Sequence, residues 1–228
     1  MLDVNKLCQI LNVKPKEIDQ LIDNIDKYYY VISNPKFGKD GVQLKDKFGK
    51  LRTRDLYPSL HLLKAVQKGI HKNILKRIKL PDYAFGGVEK RDNILNAKMH
   101  QGNKYFFNTD LRNYYPSINH NQVFKMFSSR GFAPGTAHIL TKLTTYKGQL
   151  PQGTPTSPYL ANLIFVDAGK QIQEFAKLHH LTFTTFVDDI TLSGKIDFQH
   201  HINDLLSIIT ANDFIISHNK TFYQTKSP

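Results

Sequence analysis

Hydrophobic positions along this chain switch between two periods. Over residues 3–28 they fall three and four apart: Leu7, Ile10 and Leu11 form one stripe, and Ile18, Leu21, Ile22 and Ile25 another. That spacing predicts one or two short amphipathic helices, with Pro15 suited to the first turn of the second. YYYVIS (28–33) reads as a strand. NPKFGKDG reads as a loop, and VQLKDKFGKLRTRD as a basic hairpin turning at Gly49. Ser59 can cap a helix over 60–78, with Leu63, Val66, Ile70, Ile74 and Ile78 on or near one face. PDYAFGGVEKRDN (81–93) is a loop.

The second half has a clearer rhythm. KYFFNTD (104–110) is a strand ending at Asp110, and HNQVFKMFSSR (120–130) a helix stopped by Gly131. After a link containing Gly and Pro, Ser157 to His179 forms a long helix. Strands at 181–187 and 189–193 meet at an Asp pair, a helix follows over 199–211, and DFIIS (213–217) is the last strand. The order β-α-α-β-β-α-β is the split βαβ plan with one added helix, an α+β fold.

Composition narrows the class. The chain has 228 residues, 40% of them hydrophobic, with mixed charges, as in a globular protein. No run approaches the ~18 apolar residues of a membrane span, and MLDVNKLCQILNVKPKEID lacks the apolar core of a secretory signal. Cys8 is the only cysteine, so there is no internal disulfide, and the cytoplasm is the expected compartment. The formal charge is +12. Residues 39–79 hold twelve Lys and Arg, among them Arg52, Arg54, Lys64, Lys68 and Lys72, against Asp40, Asp46 and Asp55. So concentrated a basic lobe fits a polyphosphate partner, although a solvated lysine-rich face gives the same composition.

The chemistry starts from FTTFVDDITLS (183–193), where Asp188 and Asp189 interrupt a strand. Two like charges ~4 Å apart repel by about 4 kcal/mol at an effective dielectric of ~20. At a tight hairpin turn both can lie near one sheet edge, and the split βαβ plan sets the strand carrying Asp110 beside them. Three converging acids need cations. Mg²⁺, hard and oxygen-seeking, fits, and two such ions clamp the attacking and leaving oxygens of an in-line phosphoryl displacement. An isolated Asp-Asp is usually a surface turn; the apolar flanks and the third acid argue against that here.

Two further segments stand out. In LPQGTPTSPYLANLIF (150–165), prolines bar helix before Ser157, which can act as N-cap with Pro158 at the first helical position. Gly153 lets a base pair or sugar approach the backbone, and Gln152 offers both donor and acceptor. In TDLRNYYPSI (109–118), Tyr115 follows where the chain turns out of the strand, placed either to wall a sugar pocket or to pack in the core.

In this order, FFNTDLRNYYPSI, LPQGTPTSP and FVDD resemble the palm segments of reverse transcriptases, and NAKMH (96–100) matches the N-A-x-x-H motif of the bacterial retron group, with YAFGG (83–87) leading into it. The likeness covers roughly residues 38–226. It implies a right-hand polymerase fold: an N-terminal helical extension over 1–30, basic fingers over 31–103, and a palm over 104–228 with finger-derived elements around 131–150. It implies that Asp110, Asp188 and Asp189, with the Leu111 carbonyl, bind two Mg²⁺ ions. Lys220 would protonate the leaving pyrophosphate, and Tyr115 would discriminate the sugar. Gln152, Gly153, Arg52 and Arg54 would contact the nucleotide. Asn96, His100, Lys64, Lys68 and Lys72 would contact RNA, His100 being either structural or RNA-contacting. The implied partners are a structured non-coding RNA template, its DNA product, deoxynucleotides and a retron effector protein, with no membrane.

Two departures qualify the likeness. Phe186 stands where the family usually has tyrosine, and the chain ends at Pro228, before the helical thumb into which the family continues. The thumb is therefore expected to be absent from this chain. The expected activity is RNA-directed DNA polymerisation for antiphage defence. The alternatives are a group II intron-like or other defence-associated enzyme, a catalytically silent RNA-binding scaffold, or, on a related palm, a nucleotide cyclase, which has no use for the QGTPTSP loop.

Overall fold

The computed structural model describes residues 3–38 and 40–225. Lys39, counted in the basic lobe, and residues 226–228 of the expected palm lie outside the described residues. The chain opens with α1 (Val4–Leu11), capped by the Asp3 carboxylate, and α2 (Pro15–Asp23), with Pro15 in its first turn. A two-stranded antiparallel ribbon follows, β1 (Ile32–Pro35) against β2 (Thr53–Leu56). Then come α3 (His61–Asn73) and α4 (Asn93–Met99).

The second half runs β3 (Tyr105–Asp110), α5 (Tyr114–Ser117), α6 (His120–Ser129), α7 (Pro134–Thr144), α8 (Ser157–Leu178), β4 (Thr182–Phe186), β5 (Asp189–Gly194), α9 (Ile202–Ala211) and β6 (Phe222–Thr225). Its four strands form one antiparallel sheet in the order β4-β5-β3-β6. The pleat sends Phe107 and Thr109 to one face and Asn108 and Asp110 to the other. Phe107, Ile190 and Leu192 join the core cluster with Leu160, Leu163 and Ile172 of α8. Among the described residues no helix is long and apolar enough to cross a membrane.

Several expectations shift. The strand expected at 28–33 begins only at Ile32, because Tyr29 is buried and its hydroxyl is held by Gln67 Nε2 at 3.0 Å. The helix expected over 60–78 stops at Asn73 and continues as a short 3₁₀ turn over Leu75–Arg77. α7 was not expected: its buried face includes Thr136, Thr141 and Thr144, which read as polar in sequence. Thr141 and Thr144 make their hydroxyls compatible with burial by donating to the carbonyls four residues back.

DFIIS (213–217) is not the last strand. It lies alongside residues 110–112, at the very end of β3 and past it, where the chain already turns away through Asn113 in the left-handed region, so only the Leu111–Ile216 bridge forms. The last strand is β6, paired with Tyr105–Asn108. Ser157 begins α8 but does not cap it; its hydroxyl donates back to the Pro151 carbonyl at 2.5 Å and pins the preceding loop.

Candidate active site

The sheet brings three acids to one edge. Asp110 is the last residue of β3 and stands opposite Asp189, the first of β5. Asp188 occupies the two-residue turn between β4 and β5, and its carbonyl accepts the Leu111 amide at 2.9 Å. Asp110 is buried, Asp188 half-buried and Asp189 exposed. Burial, then the charge of Asp110, pushes Asp188 up to about 6, and the same causes raise Asp189. The cluster is short of positive charge.

The turn itself is unusual. Val187 has φ 59°, at the first turn position, where a tight hairpin normally takes glycine. A β-branched residue there costs on the order of 1–3 kcal/mol and needs support from its surroundings. The support is the YAFGG segment. The Phe85 amide donates to the Thr185 carbonyl and the Thr185 amide to the Tyr83 carbonyl, both at 2.8 Å, forming a parallel bridge beside β4. Gly86 packs its backbone directly on the turn, where a β-carbon would collide with the Val187 amide nitrogen and the Phe186 carbonyl carbon. Asn162 of α8 holds the Gly86 carbonyl at 2.8 Å.

Lys220 reaches this edge from the segment before β6. Its ammonium meets Asp110 Oδ2 at 2.6 Å, and that hydrogen bond raises its pKa. The Ser217 amide donates to the Asp110 carbonyl at 2.8 Å, fixing the segment's register. The β1–β2 ribbon brings further basic groups towards this edge. The Lys36 amide donates to the Arg52 carbonyl at 2.9 Å, and Arg52 and Arg54, two apart on β2 and its approach, share a face. Burial lowers the Lys36 pKa, the charges of Arg52, Arg54 and Lys220 lower it further, and Asp110 opposes them. The charges of all four groups thus act on Lys36. Lys36 lies outside the basic stretch 39–79 that stands out in the sequence. Its position two pairs from Arg54 on an antiparallel ribbon is the signal that finds it.

Of the two adjacent tyrosines, Tyr114 is buried and donates to the Ala161 carbonyl at 2.9 Å. Tyr115 is half-buried, and its pKa is pushed up to about 12 by burial and then by the charge of Asp188. Gln152 is tied to the segment after β2 through its carbonyl, which accepts the Tyr57 amide at 2.7 Å. Gly153 has φ 104°, a conformation open to glycine and strained for other residues.

The residues expected at RNA separate from this cluster. His100 is buried, and both ring nitrogens are engaged, Nδ1 with Ser193 Oγ at 2.6 Å and Nε2 with Thr184 Oγ1 at 2.7 Å. It clamps β4 and β5 from below and presents no nitrogen to a nucleic acid, which corrects the RNA-contacting expectation in favour of the structural one. Burial lowers its pKa to about 4, so it is neutral. Asn96 is half-buried, its Oδ1 without a partner among the described residues. Lys64, Lys68 and Lys72 form one exposed ridge of α3.

Carboxylate oxygens of Asp110, Asp188 and Asp189 are a hard donor set suited to Mg²⁺. Among the described residues no group of three or more His, Cys, Asp or Glu side chains already forms a metal cage. In this arrangement Lys220 supplies the cation at Asp110.

Residues 44–227 match the family described as reverse transcriptase (RNA-dependent DNA polymerase). The chain is 36% identical over 167 residues to the retron Ec86 reverse transcriptase of Escherichia coli, an alignment covering 73% of this chain and 49% of the relative. It is 30% identical over 198 residues to the retron Se72 reverse transcriptase of Salmonella heidelberg (strain 579083-10), covering 86% and 49%. The chain therefore spans about half the length of these curated relatives. Its fold is similar to telomerase from Candida albicans, solved with a TWJ fragment of telomeric RNA, at a TM-score of 0.54 and 10% identity, over 93% of this chain and 47% of that one. The chain belongs to the reverse transcriptase (RNA-dependent DNA polymerase) family and is of the retron type.

Proposed function

We propose that this chain carries the fingers and palm of an RNA-directed DNA polymerase that copies a structured non-coding RNA as part of a retron in antiphage defence. In this reading residues 1–30 are an extension, 31–103 the fingers, and 104–228 the palm with finger-derived elements around 131–150. The sheet order β4-β5-β3-β6 supports a split βαβ palm, since it sets the first and third of its strands side by side at the centre.

The observation that carries the proposal is the meeting of Asp110, Asp188 and Asp189 at one sheet edge, facing the cationic group of Lys36, Arg52 and Arg54. Acids alone would suit many roles. Acids opposed by a separate cationic face suit a nucleoside triphosphate, whose phosphates need both ends neutralised.

The family uses divalent metal ions, and two Mg²⁺ held by Asp110, Asp188, Asp189 and the Leu111 carbonyl would activate the primer hydroxyl and offset charge on the phosphates. The remaining roles belong to the chain's own groups. Lys36, Arg52 and Arg54 bind the triphosphate. Tyr115 walls the sugar and excludes a 2′-hydroxyl. Gln152 and Gly153 bound the base pair. Lys220, kept protonated by Asp110, turns to the leaving pyrophosphate and gives up its proton there.

The test is Mg²⁺-dependent incorporation of deoxynucleotides on a primed RNA template by the wild type and by Asp188→Asn. Template-directed products from the wild type alone are expected. Equal incorporation by the variant would remove the carboxylates from the chemistry.

A further inference from the structure

A second cationic site lies away from the carboxylates, between the end of α2, the start of α6 and the end of α7. A cavity of about 310 Å³ opens where the N-terminal extension meets the starts and ends of two helices. Ile22 and Ile25 floor it, and His120, Lys142, Thr145 and Lys147 wall it. None of these residues belongs to the catalytic cluster or to the sequence segments that carry the family likeness.

Three features make it a built site. First, the His120 tautomer is fixed. The Thr145 hydroxyl donates to the Thr141 carbonyl at 2.8 Å, so at 3.0 Å it accepts from His120 Nδ1. Nε2 is then the ring's remaining polar atom, an acceptor in the neutral ring that donates to an anion only when the ring is protonated.

Second, Lys147 is held in a costly conformation. It and Gly148 form a two-residue turn with φ 50° and 77°, closed by the Tyr146 amide donating to the Gln149 carbonyl at 2.8 Å. Asparagine or glycine is the relaxed choice for the first of these positions. Lysine there keeps its ammonium 5.3 Å from the Tyr146 ring centre and 5.8 Å from that of Tyr57, over half-exposed aromatic faces at the cavity rim.

Third, the charges converge. Lys142 and His138 come from α7, His120 from α6 and Lys147 from the turn, and the first two lower the pKa of His120 after burial does. Against them the nearby acid is Asp26, which approaches the Tyr146 hydroxyl. The balance favours an anion.

We propose that this cavity is a phosphate site for an RNA strand, separate from the catalytic cleft. The position suits a nucleic-acid backbone more than a small free anion, because the cavity neighbours the loop that carries Gln152, while the Tyr146 ring, stacked on Tyr29 at 4.2 Å, and the Tyr57 ring hold the Lys147 ammonium beside it. Tyr57 also links the two regions, since its amide holds the Gln152 carbonyl. RNA seated in the cavity would therefore be anchored next to the loop that bounds the nascent base pair. The proposal rests on the reading that this chain handles RNA.

The test combines two readouts. A labelled single-stranded RNA is titrated against the wild type and against Lys142→Gln/Lys147→Gln at several salt concentrations. Loss of two phosphate contacts should weaken binding about tenfold near 0.1 M salt and reduce the slope of log affinity against log salt by about 1.4. Extension at saturating template should persist. Independently, the wild-type His120 ring signals, followed by NMR, should move on adding the RNA and on adding inorganic phosphate. Unchanged affinity and slope in the variant overturn the site. Movement with phosphate but not with RNA assigns it to a small anion and overturns the RNA assignment. A wild type that binds no RNA at all fails the underlying reading instead.

Discussion

The Leu111 amide donates a hydrogen bond to the Asp188 carbonyl at 2.9 Å. This bond ties the strand end that carries the first acid to the turn that carries the second, backbone to backbone. The acids are thus fixed in place by the sheet and need not be drawn together by a ligand. The price is electrostatic, and it appears as the raised pKa of Asp188.

That cost can be removed at the expense of function. Asp188 is pushed up to about 6, above the usual carboxylate value, so its charged form opposes folding at pH 7. Asp188→Asn should stabilise the metal-free chain by about 1–2 kcal/mol, after discounting for partial exposure, and raise its melting temperature by a few degrees. Incorporation should fall on the order of a thousandfold. Thermal melts in EDTA paired with primer extension check both. A destabilised variant would mean the acids do not repel.

Lys36 tests the basic face of the β1–β2 ribbon. Lys36→Gln should raise the KM for deoxynucleotides about tenfold through loss of a charged contact, while Lys64→Gln on α3 leaves it unchanged. Steady-state kinetics on a primed template separates them. An equal effect of both would mean that general charge, not the Lys36–Arg52–Arg54 group, binds the triphosphate.

Tyr115 is half-buried with its ring 5.8 Å from that of Tyr114, and the charge of Asp188 acts on its hydroxyl. Tyr115→Val should increase ribonucleotide incorporation relative to deoxyribonucleotide by at least about tenfold, the discrimination one misfit group typically carries. Competition between the two nucleotide pools measures it. Unchanged discrimination would make Tyr115 a packing residue.

Gly86 supports the strained turn. Gly86→Ala forces a β-carbon into the Val187 backbone and should cost about 1–3 kcal/mol, the range for overpacking a well-packed site. Urea unfolding gives the value. A neutral outcome would show that the YAFGG segment does not brace the aspartate turn.

His100 gives a pH signature. Its folded pKa is about 4, below the unfolded value of about 6.5, so the unfolded chain takes up a proton that the folded chain refuses. Stability from this group is therefore present above pH 6.5 and lost as pH falls towards 4. Between pH 7 and 5 the wild type should lose about 2 kcal/mol more than His100→Gln. Urea midpoints at the two pH values test this, and parallel losses would contradict it.

Much of the site could be read in the sequence because its chemistry is local. Asp110 ends an apolar strand, Asp188 and Asp189 interrupt another, and Gly153 sits in a proline-rich loop; each departs from its neighbours in a way composition makes visible. What was missed depends on contacts distant in sequence. Lys36 matters because the ribbon pairs it with Arg52. α7 was hidden because threonines, which satisfy their hydroxyls within the helix, occupy its buried face. DFIIS has strand residues but lies beyond the end of the strand it would pair with, and no local pattern records that. His100 stays open between a structural and an RNA-contacting role in the sequence, until Ser193 and Thr184 close on both its nitrogens.

The most direct measurement is Mn²⁺ binding by electron paramagnetic resonance, with and without a deoxynucleoside triphosphate, in the wild type, Asp110→Asn and Asp188→Asn. Binding that tightens with nucleotide in the wild type and is lost in both variants is the expected result. Equal Mn²⁺ binding in all three proteins would contradict the account.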